Sequence, residues 1–407
     1  MQLDQIDPKV LGRRLTEARK ARGLTQEDAA KHLECSRPTF IAIEKGTRTP
    51  QPEEIVSLAS LYGCSLHELV RPGEPLADLQ PHLRAIAVEM KTDDAETFQA
   101  IAALQRFAED YQRLERILSL PLRLNYPQEV RLGTHVDVVN LAEDEAIKER
   151  QRLGLGDLPV IELRRLLETE VGLRIVYDEL PSRIAGMFAY SAEFGGVVVV
   201  NRKHPPERRR ATMVHEYGHL IVDRFKPGID YLNFPGRKPA NERFAESFSM
   251  AFLMPTTSVR RQFNQIVNER GDFQIADLCR LSHFYFVSVE AMTIRLEGLG
   301  LIPKGVRDYL KESRFEVRRA GELLALKKHP VRNERFPDRY IFLAVQAFDR
   351  GEISEGELAA YLRCDRVTAR ETVEKYLTTS DDVSEDGNVQ VRQFESQSQL
   401  SLLNLSE

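Results

Sequence analysis

Residues 213–220 read Met-Val-His-Glu-Tyr-Gly-His-Leu and contain the pattern H-E-x-x-H. On a helix, positions i and i+4 lie on one face about 6 Å apart. His215 and His219 can then both present neutral imidazole nitrogens to one zinc ion. Glu216 lies beside them, placed to take a proton from a water at that ion. Nine histidines in 407 residues is sparse usage. The pattern is expected by chance only about 0.03 times, which weighs against two histidines on an ordinary solvated face. A catalytic zinc wants three protein ligands and an open position. Glu242 follows His219 by 242 − 219 = 23 residues, room for a loop and a returning helix. Glu246, one turn further on, competes for the role, and Glu242 is the preferred third ligand.

A second cluster has the chemistry of a phosphate-facing surface. Residues 9–48 hold ten Lys and Arg against five acids, inside a chain whose net charge is −5. Such local asymmetry is the footprint of nucleic-acid binding. The spacing adds to it. Leu11, Leu15 and Ala18 form one face of a first helix, which Gly23 ends. Thr25 and Asp28 form an acidic capping box for a second helix. Ser36 caps a third, with Pro38 in its first turn and Ile41 and Ile43 as anchors. Arg37, Thr39, Phe40 and Lys45 are expected on the exposed side of that third helix, as on a recognition helix in the major groove. Gln26 is expected to hold a phosphate, with Lys45 and Arg48 clamping the backbone.

Two family resemblances rest on these residues. The segment LGRRLTEARKARGLTQEDAAKHLECSRPTFIAIEKGTRTPQPEEIVSLASLYGCSLHELV resembles the Xre/Cro-type helix-turn-helix of phage and bacterial repressors. That implies a five-helix domain binding a double-stranded DNA operator, usually as a dimer. Residues from about 145 to 256 resemble the ImmA/IrrE metallopeptidases. The likeness runs through LGLGDLPVIELRRLLE, VGLRIVY, IAGMF, VVVVN, HEYGHL and ERFAESF, and Leu253-Met254-Pro255 sets the register. It implies a gluzincin-like Zn2+ endopeptidase with His215, His219 and Glu242 as ligands and Glu216 as general acid/base. Tyr217 and Glu246 depart from the residues usual in that family.

The elements that must position these groups give a multidomain fold class. An all-α helix-turn-helix domain spans 1–71, closed by the breaker cluster at 71–75. A helical linker at 72–134 carries the stripe Phe98, Ile101, Leu104, Phe107, Tyr111, Leu114 and Ile117, read either as a dimer seam or as a brace on a neighbouring domain. An α+β zincin-like metallopeptidase domain spans 135–265. It has helices expected at 158–170, 207–223 and 240–253, and strands at 173–177 and 197–200. The valine strand 197–200 reads equally as a substrate-pairing edge and as a fully buried strand. A mainly α C-terminal interaction region spans 266–379, with helix, turn, helix spacing over 351–370. The acidic tail 380–407 reads as disordered.

Composition bounds the function. A 42% hydrophobic, 29% charged chain is ordinary globular material. Neither a membrane-spanning run nor a signal peptide is visible, so a cytoplasmic protein with no membrane partner is expected. Cysteines at 35, 64, 279 and 364 form no C-x-x-C pair, against a zinc ribbon or disulfide framework. The reading is a DNA-binding transcriptional regulator, expected as a homodimer, carrying a zinc-dependent endopeptidase. Its substrate would be a regulatory protein or the chain itself, controlling stress, phage or mobile-element genes. The alternative is a non-proteolytic repressor or antitoxin of a toxin-antitoxin module, with the peptidase fold as a sensor or a surface for its cognate toxin. A secreted protease is disfavoured by the helix-turn-helix.

Overall fold

The computed structural model describes residues 7–22, 24–62, 69–70, 95–133, 136–192, 195–226, 228–231, 238–313 and 315–381. The chain divides into two compact units, Met1–Gln105 and Arg106–Glu407. Gly23, the breaker cluster and the tail beyond 381 lie outside the described residues.

The first unit is helical: α1 Pro8–Ala21, α2 Gln26–His32, α3 Arg37–Glu44 and α4 Pro52–Tyr62. Its helix starts follow from local chemistry. Asp7 caps α1. Thr25 and Asp28 form the expected capping box on α2, and the Ser36 side chain accepts from the Thr39 N–H at the start of α3. Leu11, Leu15, Ala29, Ala30, Phe40, Ile43, Ile55, Leu58 and Tyr62 form the core. Gly12 lets α1 and α3 approach closely, because a Cβ there would stand 2.4 Å from the Glu44 carbonyl oxygen.

The second unit is built on a four-stranded sheet in the order β1-β3-β2-β4. The strands are β1 Arg174–Asp178, β2 Ile184–Ser191, β3 Gly195–Asn201 and β4 Gly228–Tyr231. β1 pairs parallel with β3, and β2 pairs antiparallel with both β3 and β4. The valine strand is therefore internal, and every residue of β3 is buried. That settles its two readings: β3 pairs on both sides and has no open edge for a peptide. The IAGMF segment opens β2, the longest strand of the sheet, and the loop expected between His219 and Glu242 contains β4.

The helix Pro206–Val222 and the helix Ala240–Leu253 follow the expected bounds to within a residue. The expected helix at 158–170 is shorter. It runs Leu163–Leu166, passes into a π turn at Leu167–Val171 and ends on Gly172 with φ +85°. Pro159 cannot donate to a helix ladder. The carbonyl oxygens of Leu158, Val160 and Ile161 instead accept from the Arg150 and Arg210 guanidinium groups. One apolar core runs from Val138 on the helix Val138–Arg152, through the sheet and both site helices, to Leu310. Helices Thr256–Arg270, Ile275–Tyr285 and Val289–Gly298 thus share the core that supports the metal-ligand candidates.

The helix Ala95–Leu118 carries the apolar stripe of the linker. Within the second unit, Phe107 and Tyr111 pack on Tyr340 at ring-centroid distances of 5.4 and 5.3 Å, and Phe336 stacks on Tyr340 at 4.8 Å. Glu115 on the same helix forms a buried ion pair with Arg174 at 2.7 Å. This half of the stripe is therefore a brace, and its aromatic rings are unavailable to a dimer seam. The Phe98 side chain lies outside the described residues. Among the described residues no helix is long and apolar enough to cross a membrane.

Candidate metal centre and nucleic-acid interface

The helix Pro206–Val222 carries His215, Glu216 and His219, and the helix Ala240–Leu253 returns Glu242 against it. The two cross at Gly218, where a Cβ would lie 2.8 Å from Ala245 Cα. A residue without a side chain is what allows backbones this near. The crossing puts His219 beside the first turn of the second helix.

The donor atoms converge. His215 Nε2 and His219 Nε2 are 3.1 Å apart. Glu242 Oε2 is 3.4 Å from the first, and its Oε1 is 3.4 Å from the second. Donors at about 2.0–2.1 Å from one tetrahedral ion stand roughly 3.4 Å from each other, so this triangle has the size a metal ion requires. Two imidazoles and a carboxylate are also a fitting donor set for a divalent metal. His215, His219 and Glu242 form the one such group among the described residues. Glu246 is elsewhere: its carboxylate is more than half exposed and pairs with Lys238 at 2.9 Å.

Asp223 completes the arrangement and was not anticipated from sequence. Its Oδ1 lies 3.0 Å from His219 Nδ1, and its Oδ2 accepts from the Asn241 side-chain amide at 2.8 Å. Holding Nδ1–H in this way leaves the Nε2 lone pair facing Glu242 and His215. The signal was present in the sequence, since Asp223 stands one helical turn after His219. Asn241 adjoins Glu242, so one carboxylate ties both ligand-bearing helices together.

Burial and charge set the protonation of these groups. Burial pulls the His215 imidazole down, but Asp230 and the hydrogen-bonded Glu242 outweigh it and hold its pKa above the ordinary value. His219 is likewise raised, with the Asp223 hydrogen bond overcoming burial. Burial pushes Glu242 up, yet the two histidines win and hold it below the usual carboxylate value. Glu216 is 1% exposed, and burial drives its pKa well above the ordinary value against the pull of His219. Its Oε1 has no hydrogen-bond partner.

Tyr217, one of the noted departures, faces away from the ligands. It is fully buried, and its hydroxyl donates to Glu149, which also pairs with Arg152 at 2.8 Å. A polar handle there ties the ligand helix to the helix Val138–Arg152.

In the first unit the structure sorts the expected DNA-contacting residues. Arg37 and Lys45 are exposed, and Thr39 is half-buried with its hydroxyl 2.7 Å from Ser36 Oγ. Phe40 is corrected: it is fully buried in the core. The inward face of α3 repeats as Phe40 and Ile43, three residues apart, and Ile41 is only half-buried. Gln26 is also corrected, since its side-chain amide donates to Glu44 at 2.7 Å. Glu44 receives Arg19 as well, at 2.7 Å, and so joins α1, α2 and α3. Arg48 pairs with Glu54 at 2.8 Å. Arg14 and Arg22 donate to the carbonyl oxygens of Leu69 and Tyr62. Part of the local positive charge is thus structural.

A helical unit with capped helix-turn-helix spacing and an α+β unit with a two-histidine, one-carboxylate cluster define the class. Comparison with known proteins agrees. Residues 10–71 match the helix-turn-helix domain family, and residues 168–297 match the peptidase family described as IrrE N-terminal-like domain. The chain joins these two domains. It is similar to the cryptic phage CTXphi transcriptional repressor RstR of Vibrio cholerae, 35% identical over 65 residues, which are 16% of this chain and 59% of that protein. It is also similar to the HTH-type transcriptional regulator DdrOP3 of Deinococcus deserti, 38% identical over 65 residues, 16% of this chain and 50% of that protein. The chain thus spans little more than half the length of the curated relatives it matches. Among solved structures, the crystal structure of ComR from Streptococcus suis aligns over 92% of this chain and 90% of that one, at 14% identity and a TM-score of 0.16; so low a score supports no argument.

Proposed function

We propose that this chain is a DNA-binding transcriptional regulator whose second unit is a zinc-dependent endopeptidase. The observation that carries the reading is the convergence of His215, His219 and Glu242 to within hydrogen-bonding distances, with Glu216 buried beside them. His215, His219 and Glu242 would hold the zinc, and Asp223 would fix the His219 tautomer. When bound, zinc supplies Lewis acidity toward a peptide carbonyl. Glu216 would take the proton of the attacking water and return it to the leaving amine. Arg37, Thr39 and Lys45 would meet an operator, with a dimer reading two half-sites.

The substrate in this reading is a regulatory protein or the chain itself, cut in the connector 72–134. Separating the reader from the rest of the chain would lower operator affinity, since losing a dimer loses half of the phosphate contacts. Incubation of purified protein with zinc, beside Glu216→Ala, tests this. Time-dependent fragments confined to the wild type support it. Intact protein in both, with no partner protein cut by either, refutes the endopeptidase.

One observation favours a second reading. The four side chains of the site are at most 18% exposed. So closed a centre suits a sensor or a toxin-binding surface that does not turn over. Equal operator repression by wild type and Glu216→Ala, with no cleavage, selects it.

A further inference from the structure

Apart from the metal-ligand cluster, the second unit holds a cavity of about 70 Å³ between the Leu163–Leu166 helix, the start of the helix Pro206–Val222 and the segment 330–338. One water needs about 10–15 Å³ measured this way, so the space takes roughly five or six non-hydrogen atoms. Its walls are mixed. Leu163, Met213, Phe286 and Phe336 give it an apolar side.

Arg209 lines the same cavity and is 4% exposed. Its guanidinium stacks on Tyr177 with 4.9 Å to the ring centroid. Nη2 donates to the side-chain oxygen of Asn333 at 2.7 Å. Nε and Nη1 are buried and have no partner. A buried cation with two unmet N–H groups is costly unless an anion answers it. The other arginines of the cavity wall differ, and Arg165 among them is exposed to solvent. Arg164 is met by Glu168 at 2.9 Å, Arg332 by Asp338 at 2.6 Å, and Arg210 by three backbone carbonyls. Those pairings also neutralise two of the four acids of the wall. Of the other two, Glu162 lies 3.7 Å from Arg332, and Glu334 is exposed.

The helix start adds to the same bias. The 17-residue helix Pro206–Val222 begins at the cavity without a side-chain cap. Its dipole favours negative charge there, a preference that Glu207 in its first turn meets in part.

We propose that this cavity binds a small organic carboxylate, its charged end held by Arg209 and its short carbon chain lying among Leu163, Met213, Phe286 and Phe336. A carboxylate fits one edge of the guanidinium, one oxygen accepting from Nε or Nη1 and the other from the second Nη2 hydrogen, while Asn333 keeps the first. The occupant would touch the helix that carries His215, because Met213 is two residues before it. It would also brace the 330–338 segment through the Asn333 contact. The chain would then respond to a metabolite-sized acid at a place separate from its metal cluster.

Titration calorimetry of the full chain with butyrate tests this, with 1-butanol and inorganic phosphate as comparisons. The expected result is one saturable butyrate site per chain, no binding of 1-butanol, and weaker binding of phosphate. Arg209→Gln should weaken butyrate at least about tenfold, the loss expected when a charge-assisted pair goes. Arg209 also packs on Tyr177, so a second variant keeps the test sound. Val331→Phe fills the cavity from a wall position that is 38% exposed, and it should abolish binding without unfolding the chain. Absence of butyrate binding to the wild type overturns the proposal. So does binding that survives both variants, as it would at the metal cluster, and so does phosphate binding as tightly as butyrate.

Discussion

Gly218→Ala tests how the ligand set is assembled. The added Cβ would stand 2.8 Å from Ala245 Cα and 3.1 Å from Ala245 Cβ. Carbon atoms prefer about 3.5–4.0 Å. The nearest obstacle is backbone, so a rotamer change cannot relieve it, and the two helices must part by several tenths of an ångström or more. Alanine in a helix interior would otherwise gain about 0.5–1 kcal/mol over glycine. Overpacking typically costs about 1–3 kcal/mol, so a net loss of about 1 kcal/mol is expected. The movement falls between His219 and Glu242, whose donors are 3.4 Å apart. Metal–ligand distances tolerate only about 0.2 Å, so zinc affinity should drop about tenfold or more. Urea unfolding gives the first quantity and competition with a chromophoric chelator the second. A Gly218→Ala protein that is more stable than wild type and binds zinc equally would refute the close-crossing argument.

Other outcomes follow from the same contacts. Asp223→Asn should keep the fold but lower zinc affinity about 10–100-fold, the usual cost of losing a carboxylate behind a ligating histidine; unchanged affinity in a chelator titration would remove its orienting role. Phe40→Ala should destabilise the first unit by about 3–5 kcal/mol, as for a buried aromatic truncated in a core. Arg37→Ala should leave unfolding nearly unchanged and weaken DNA binding in a salt-dependent way; paired denaturation and fluorescence-anisotropy measurements separate the two. Tyr217→Phe removes the hydroxyl that donates to the buried Glu149 and should cost about 1–3 kcal/mol. Thermal unfolding checks it, and a shift below experimental error would contradict that hydrogen-bonding role.

Much of the candidate site was legible because helical periodicity and chelation use the same spacing. His215 and His219 one turn apart, and Glu242 on a returning helix, need only the 3.6-residue repeat to be found. Capping was equally local, so Thr25, Asp28 and Ser36 could be read from four-residue windows. What escaped depended on the third dimension. Phe40 looked exposed because the short α3 turns a different face inward than the one anchored on Ile41. Gln26 looked available because its partner, Glu44, lies 18 residues away in sequence. β2 was hidden since Gly186 and the small residues beside it lack a β-branched pattern. That glycine is required by packing: a Cβ there would come within 2.8 Å of Glu216 Oε1. The linker stripe was correctly seen as one-sided, but sequence alone could not say that Tyr340, more than 200 residues on, covers part of it.

The central claim is that His215, His219 and Glu242 hold one zinc ion, and metal content measured by mass spectrometry tests it most directly. Wild type should carry one zinc per chain after dialysis against metal-free buffer, and His215→Ala and Glu242→Gln should each carry well under half of that while remaining folded by circular dichroism. Equal zinc in wild type and His215→Ala, or none in folded wild type supplied with zinc, would contradict the account.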